Sequence, residues 1–180
     1  MVAAGANDSM PMVVTSFGVS GIPSIMGTVV LGASGAMVMR SDYDRMTSMG
    51  ISEIQPAHMA PPAAKYAHAI RVDNPRAMVF TSGVVPTMPD GTVPPSIEGQ
   101  ARVVWANLIE ILRAGDMAVT DIVSITTYVV VSETLRDDLS AVMSVRDEVM
   151  GSHRAASTLV TVPALVRPEW LMEISLVAAS

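Results

Sequence analysis

The stretch that decides the fold is DIVSITTYVVV, at residues 121–131. It is rich in β-branched residues, which favour strands because their side chains pack well on a pleated surface. Its end is continuously apolar, and that pattern is typical of a strand covered on both faces. The stretch therefore predicts a central strand. We expect the chain's own helices to cover one of its faces and another subunit to cover the other.

The segment before this strand has the pattern of an amphipathic helix. Ser96 is a predicted N-cap, and Gly115 is placed to end the helix after Ala114. Apolar residues recur between these limits at helical spacing, which predicts one buried face. They are Ile97, Ala101, Val104, Trp105, Leu108 and Leu112.

The segment after the strand predicts a second helix, from Thr134 to Met150, with Gly151 as its terminator. Thr134 and Asp137 have the spacing of a capping box, in which the two side chains satisfy each other's backbone N–H groups. We therefore expect both helices to pack beside the central strand.

Further strands are predicted towards both ends of the chain. Residues 66–72 (YAHAIRV) and 77–82 (AMVFTS) are separated by a turn and predict a hairpin. Residues 157–162 and 170–178 predict the last two strands. The order ββ-α-β-α-ββ predicts a single α+β domain, with two helices on one face of a mixed sheet.

The chain before this domain differs in composition. Residues 1–39 form an extension whose part 9–39 has no charged residue, but glycine, proline, serine and threonine interrupt it. These interruptions disfavour a membrane span, and no basic segment precedes them as in a signal peptide. Residues 40–56 predict a short helix, ending at Gly50, and a linker; residues 57–180 are the predicted domain.

The overall composition excludes several classes of site. The net charge is −6 with no cluster of basic residues, which disfavours nucleic-acid binding. Without cysteine there is no thiolate nucleophile and no cysteine-ligated metal, and the chain fits a reducing compartment. The three histidines, His58, His68 and His153, lack metal-ligand spacing. We expect a cytoplasmic protein without a metal site.

Several short motifs occur together between Ala57 and Ala179. They are YAHA at 66–69, FTSG at 80–83 with Pro86, QAR at 100–102 with Asn107–Leu108, DIV at 121–123 with TTYV at 126–129, and Ala164–Leu165 with Leu171, Glu173–Ile174 and Val177–Ala178. In this order they resemble the RidA (YjgF-type) family of small trimeric imine and enamine deaminases, whose patterns are "Y-S-Q/H-A", "F-T-S-G-x-x-P", "Q-x-R…N-L", "D-I-V-K-T-T-V-Y-V" and "A-L-P…V-E-I-E-A-I-A".

The resemblance implies a chorismate-mutase-like (YjgF/RidA) fold and a homotrimer. It also implies three clefts that bind a small molecule between neighbouring subunits. Members of the family hydrolyse 2-imino or 2-enamino acids to the 2-keto acid and ammonia, without a metal or organic cofactor. Such chemistry is physically reasonable because an imine is already electrophilic. The site needs only to hold the substrate, position a water molecule and move a proton.

Four residues match family positions in the cleft. Glu173 matches the carboxylate on the last strand that holds the attacking water. Tyr66 and Ser82 match the cleft tyrosine and serine. Gly83 follows Ser82 and, lacking a side chain, lets the backbone approach a ligand closely. The resemblance thus predicts a site built from two strands and one turn.

One departure from the family pattern bears on the substrate. The family has "P-A-R-S-x-V-x-V", whereas residues 153–160 read HRAASTLV, and our registration puts Ser157 at the arginine position. Arg154 lies three residues earlier and would enter the cleft through an irregular loop; Arg71 is a second candidate. Losing a guanidinium that grips a carboxylate costs about 2–5 kcal/mol.

Two hypotheses follow from this departure. The first is an imine or enamine deaminase whose substrate is polar and uncharged, or bears an amine, in place of the usual 2-imino acid. The second is a non-catalytic trimer that binds a small ligand and is recruited to a larger assembly through residues 1–39.

The recruitment hypothesis has a direct test. Deleting residues 1–39 should abolish co-sedimentation with the larger assembly. The melting temperature should stay within a few degrees of the full chain, because the predicted domain begins only at Ala57. Retained co-sedimentation would show that the extension is not the recruiting segment.

Overall fold

The computed structural model describes residues 48–180, and the predicted extension at 1–39 lies outside them. The described elements, numbered here in chain order, are β1 (Gly50–Ile54), β2 (Ala69–Asp73), β3 (Met78–Phe80), α1 (Ile97–Ala114), β4 (Ile122–Val130), α2 (Leu135–Met150), β5 (Ala156–Val162) and β6 (Met172–Ala179). A short 3₁₀ turn, Val119–Asp121, leads into β4. No helix of the described part is long and apolar enough to cross a bilayer.

β1 lies in a stretch where the sequence predicted a short helix and a linker. Most of that predicted helix lies outside the described residues, but its terminator, Gly50, is the first residue of β1. β1 pairs antiparallel with β2, from Gly50 opposite Asp73 to Ile54 opposite Ala69. The first paired strand thus precedes Ala57, where the domain was expected to begin.

The predicted hairpin is wrong, although the strands themselves are present. β2 pairs with β1, whereas β3 pairs antiparallel with β6. The reason lies just after the turn, where the N–H groups of Arg76 and Ala77 both donate to the carbonyl of Ser180. This contact with the last residue places β3 beside β6 and away from β2.

The main sheet is mixed, as the sequence predicted. Its order is β3-β6-β4-β5, and β4 runs antiparallel to β6 but parallel to β5. Adjacent partners in such pairs share a face of the sheet. The register therefore shows which face each side chain occupies.

The two faces of this sheet differ in burial. Ile125, Thr127 and Val129 of β4 are buried on the face that α1 and α2 cover, whereas Thr126 and Tyr128 are only half-buried on the other. We name the second face the open face. Its residues are Phe80, Ser124, Thr126, Tyr128, Val130, Ala156, Thr158, Val160, Val162, Glu173, Ser175 and Val177.

The helix predictions are largely confirmed. All six residues of the predicted α1 stripe are buried, and the Ser96 hydroxyl accepts a hydrogen bond from Gly99 N–H at 3.2 Å. The capping box predicted for α2 is absent. Thr134 makes no capping bond there, because its hydroxyl donates to the carboxylate of Asp138, 3.3 Å away.

A buried amide joins α1 to the segment that precedes β6. Gln100 is 1% exposed, and its Nε2 donates to the carbonyls of Pro94 and Glu169 at 2.9 and 2.8 Å. Its Oε1 accepts from Leu171 N–H at 2.8 Å. This side chain therefore fixes the start of β6 against the first turn of α1.

Replacing this amide should destabilise the domain. We expect Gln100→Leu to cost on the order of 2–4 kcal/mol of unfolding free energy, because it removes three hydrogen bonds to backbone groups. The measurement is urea denaturation beside Gln55→Leu, in which an exposed glutamine is changed. Equal stability of the two variants would show that the Gln100 bonds contribute nothing net.

Candidate active site

The site centres on the carboxylate of Glu173. Glu173 lies on β6, between the buried residues Met172 and Ile174, and its own side chain points to the open face. The carboxylate lies directly against the backbone of Gly83: a Cβ built at residue 83 would overlap it. Only glycine leaves this position free. Its missing side chain makes room for Glu173.

Backbone pairing holds the two residues together. Val84 and Ile174 exchange hydrogen bonds, with Val84 N–H donating at 2.8 Å and Ile174 N–H at 3.1 Å. Thr81 brackets the other side, because its hydroxyl oxygen accepts from Leu176 N–H at 3.0 Å. Ser82 and Gly83 therefore form a short interruption between two points of contact with β6. Ser82, the residue before Gly83, is exposed.

A second side-chain amide, which is half-buried, supports the loop after Gly83. Asn107 of α1 donates through Nδ2 to the carbonyl of Thr87 at 3.0 Å and to that of Val85 at 3.5 Å. Gln100 is seven residues earlier, two turns of the same helix. Two amides on α1 thus hold the two chain segments that carry Gly83 and Glu173.

The neighbours of Glu173 on the open face are hydroxyl-bearing or apolar. Tyr128 of β4 is its direct cross-strand partner, and Val160 is the next residue in the same row. Thr126 and Ser175 form the adjacent pair. Within the described residues, Glu173 has no hydrogen-bond or ion-pair partner. Its carboxylate is available to a ligand.

Tyr66 lies far from Glu173 within one chain. Its neighbour Ala67 bridges to Ala156 at the outer side of β5, three strand widths from β6. At about 4.8 Å per strand, this is roughly 14 Å. The Tyr66 ring meets that of His68 edge to face, with centroids 6.0 Å apart. The predicted cleft therefore does not form inside one subunit.

Ser157 is on the opposite face of the sheet from Glu173. It pairs with Ile125, which in turn pairs with Leu176, and both of these are buried under the helices. The structure does not bring Ser157 together with Glu173. The neighbouring Ala156 lies on the open face instead, opposite Ser124.

Neither candidate arginine reaches Glu173 in one chain. Arg154 precedes β5, whose first residue, Ala156, is four residues from the row of Glu173, about 13 Å along the strand. Arg71 lies on β2, and its guanidinium donates to the carboxylate of Asp73 at 2.7 Å. Arg154 is exposed, at the same edge of the sheet as Tyr66.

Two of the three histidines, His68 and His153, have backbone partners in the described part. Nε2 of His68 lies 2.8 Å from the carbonyl oxygen of Ala60, and that of His153 lies 2.7 Å from the carbonyl oxygen of Ile122. Among residues 48–180 no group of histidine and acidic side chains could hold a metal ion.

Three residues of the site were not predicted as part of it: Gln100, Asn107 and Tyr128. The first two had a signal in the sequence, because they are polar residues at positions i and i+7 of a helix, beside its apolar stripe. Tyr128 would have been found from the alternation of faces, once the register of β4 against β6 was known.

The family assignment follows from this fold and the placement of these motifs. The model of the family described as Endoribonuclease L-PSP matches residues 57–180. The chain belongs to the RidA/YjgF/L-PSP family. It is also 31% identical over 80 residues to TdcF of Escherichia coli (strain K12), a proposed reactive intermediate deaminase. That match spans 44% of this chain and 59% of TdcF, about three-fifths of its length.

Solved structures of Rid proteins share the fold. YyfB of Yersinia pestis, a Rid-family protein of unknown function, is 28% identical with a TM-score of 0.64, covering 72% of this chain and 98% of YyfB. A proposed endoribonuclease of Thermotoga maritima is 29% identical with a TM-score of 0.52, over 72% and 97%. Escherichia coli TdcF with bound serine is 24% identical with a TM-score of 0.51, over 72% and 98%.

A substitution at Gly83 tests whether this glycine sets the position of the Glu173 carboxylate. We expect Gly83→Ala to displace the Glu173 carboxylate, because the added Cβ would overlap it. The unfolding free energy should change by less than about 1 kcal/mol, since the far end of a flexible side chain can rotate away. A crystal structure of the variant and its thermal denaturation measure the two effects.

The control is Gly50→Ala, where the nearest atom to an added Cβ is 4.0 Å away. It should leave Glu173 in place. If Gly83→Ala also leaves Glu173 in place, the overlap does not constrain the site.

Proposed function

We propose that this Rid protein is a cofactor-free hydrolytic deaminase of reactive imines or enamines, with Glu173 as the group that activates water. The observation that carries the proposal is the Glu173 carboxylate, which lies half-buried against Gly83 without a partner among the described residues. Family membership and the similarity to TdcF support the same reaction class.

The chemistry needs one group that alternates between base and acid. Glu173 accepts a proton from water as the water oxygen bonds to the imine carbon. It then returns the proton to the nitrogen and passes the hydroxyl proton of the intermediate to the same nitrogen, so that the C–N bond breaks and ammonia leaves as the carbonyl forms. A carboxylate held at a fixed position serves both steps without a cofactor.

Hydroxyl groups beside Glu173 can orient the water and the substrate. Tyr128 is half-buried and directly across the strand pair, where Cα atoms are about 5.5 Å or less apart. Ser82 is at the turn that carries Gly83. Each can donate one hydrogen bond, and neither carries charge at neutral pH.

The proposed cleft is completed by other copies of the chain in a homotrimer. Tyr66 and Arg154 are at the β5 edge, whereas Glu173 is near the β3 edge, so one copy cannot bring them together. Contact between the edge of one copy and the open face of the next would do so. Phe80 is 71% exposed and Val160 is 40% exposed on that face, which supports burial there.

The ligand would be small and amine-derived. TdcF was solved with bound serine, an amino acid, so amino acids and their oxidised imines are suitable first probes. The departure at residues 153–160 favours a substrate other than the usual 2-imino acids.

The reaction can be tested by following ammonia release from imines generated in situ by an oxidase. The full chain should release ammonia faster than the spontaneous rate, and Glu173→Gln should lower kcat at least about a hundredfold, the usual contribution of a general base. The variant keeps the size of the side chain, so folding should persist.

The matched control is Glu133→Gln, a change at an exposed glutamate in the loop after β4. It should keep full activity. A wild-type rate equal to background, together with a rise in melting temperature on adding serine, would replace the deaminase by a non-catalytic ligand-binding trimer. Recruitment through residues 1–39 would then be the remaining functional prediction.

A further inference from the structure

We propose that His68 is a positioning residue for the deaminase reaction and acts through Tyr66. It holds the Tyr66 ring at the β5 edge, with the hydroxyl proton free to reach a substrate in the cleft between copies. The inference rests on the proposed function. It uses contacts within one copy of the chain, so it does not depend on how much of the open face the next copy covers.

The backbone beside Tyr66 is attached to the sheet through Ala67. This residue is 3% exposed, bridges to Ala156 and donates its N–H to the carbonyl of Ala155 at 2.9 Å. Tyr66 and His68 flank it, and both are half-buried. The backbone is therefore fixed at the β5 edge, but the direction of the Tyr66 side chain needs further contacts.

His68 contacts both the Tyr66 ring and the loop that precedes it. The two rings meet edge to face, at an interplanar angle of 83° and with centroids 6.0 Å apart. This arrangement is favourable because the positive edge of one ring meets the negative face of the other. Nε2 of His68 lies 2.8 Å from the carbonyl oxygen of Ala60, and a carbonyl oxygen only accepts, so Nε2 carries the proton. The imidazole thus links the Tyr66 ring to the backbone of Ala60.

The loop between Ala60 and His68 folds back on Tyr66. The N–H of Ala63 donates to the Tyr66 hydroxyl oxygen at 3.4 Å, and the N–H of Tyr66 donates to the carbonyl of Ala64 at 2.9 Å. The hydroxyl therefore accepts a hydrogen bond from its own loop and keeps its proton. In the described part of the chain that proton has no acceptor. Tyr66 thus offers a free hydrogen-bond donor at the edge of the sheet.

A free donor at this edge fits a need of the reaction. Before water attacks, Glu173 is a carboxylate, which accepts hydrogen bonds but donates none. The nitrogen of a neutral imine has a lone pair, so it requires a donor from elsewhere. In the proposed trimer the β5 edge of one copy meets the open face of the next, which brings Tyr66 of one copy towards Glu173 of another. The hydroxyl then donates to the imine nitrogen and makes the carbon more electrophilic, while Glu173 takes the proton of the attacking water.

The donor contributes only when its hydroxyl is held at one place. A tyrosine side chain has two rotatable bonds, and several orientations are open to it when nothing contacts the ring. His68 restricts the ring, and the Ala63 N–H restricts the hydroxyl. Loss of the His68 contacts should therefore misplace the donor without unfolding the domain, because the bridge between Ala67 and Ala156 remains.

Two substitutions of different reach test the inference. His68→Gln places an amide N–H near the position of Nε2, whereas His68→Asn is shorter by one carbon–carbon bond, about 1.5 Å, and does not reach Ala60. Ammonia release is measured on the oxidase-generated imine that the wild type turns over fastest. We expect kcat to stay within about threefold of the wild type in His68→Gln and to be at least about fivefold lower in His68→Asn, the size of effect expected from one neutral hydrogen bond.

The Michaelis constant and the melting temperature distinguish positioning from a structural role. KM should change less than kcat, because the hydrogen bond to nitrogen strengthens as water attack places negative charge there. The melting temperatures of the two variants should agree within a few degrees. The control is His58→Asn, which changes an exposed histidine of the same segment and should keep the wild-type kcat.

A double substitution tests whether His68 acts through Tyr66. Tyr66→Phe removes the donor and should lower kcat at least about fivefold. Adding His68→Asn to Tyr66→Phe should lower kcat by less than about a further twofold, because the hydroxyl that His68 positions is already absent.

The outcomes separate the inference from the function on which it rests. A wild-type kcat in His68→Asn would overturn the role of His68 and leave the deaminase intact. An equal loss from His68→Asn with and without the Tyr66 hydroxyl would also overturn it. No turnover by the wild type above background would overturn the deaminase, and with it the role of His68.

A crystal structure of the full chain provides the test if His68→Asn does not fold. The Tyr66 hydroxyl should face the Glu173 carboxylate of the next copy, with its ring against His68. A Tyr66 hydroxyl turned out of the cleft would overturn the inference.

Discussion

The hydrogen bonds of Gln100 are the interaction on which the rest of the site depends. One amide joins the first turn of α1 to the carbonyl of Glu169 and the N–H of Leu171. Glu173 follows Leu171 by two residues, so these hydrogen bonds also fix the position of its carboxylate. The amide is almost fully buried, and its loss would remove all three of these backbone hydrogen bonds. The site therefore depends on a helix that lies behind the sheet and touches no ligand.

The register of the sheet then determines which side chains lie together on one face. β4 is paired on both sides, and its register with β6 aligns Tyr128 with Glu173 on the open face. The same register puts Ile125 and Leu176 under the helices. A single chain thus has a complete core on one side of the sheet and an uncovered, partly apolar surface on the other. The proposed trimer uses that surface to build a cleft that one chain lacks.

Local patterns in the sequence predicted the helices well, because their information lies within a few residues. The α1 stripe and its Ser96 cap follow from 3.6-residue periodicity and one side chain. The pairing of the strands was harder to predict, because β3 is held beside β6 by hydrogen bonds to Ser180, about a hundred residues away in the sequence. The face of the sheet on which Ser157 lies was equally hard to predict, because a one-residue change of register moves every side chain to the other face. Gln100 was recognised as a motif residue, but its partners in space could not be read from its neighbours in sequence.

The position of the Glu173 carboxylate is unfavourable for folding, and this indicates that the carboxylate has a functional role. A half-buried carboxylate is favourable when it has an ion-pair or hydrogen-bond partner, yet the described residues offer none to Glu173. Other carboxylates of the described residues, such as those of Asp73 and Glu98, do have arginine partners. The chain also keeps glycine at residue 83, where a side chain would push the carboxylate away. Both features favour a charge held ready for a partner outside the chain. A bound ligand would supply the partner that the described residues do not offer.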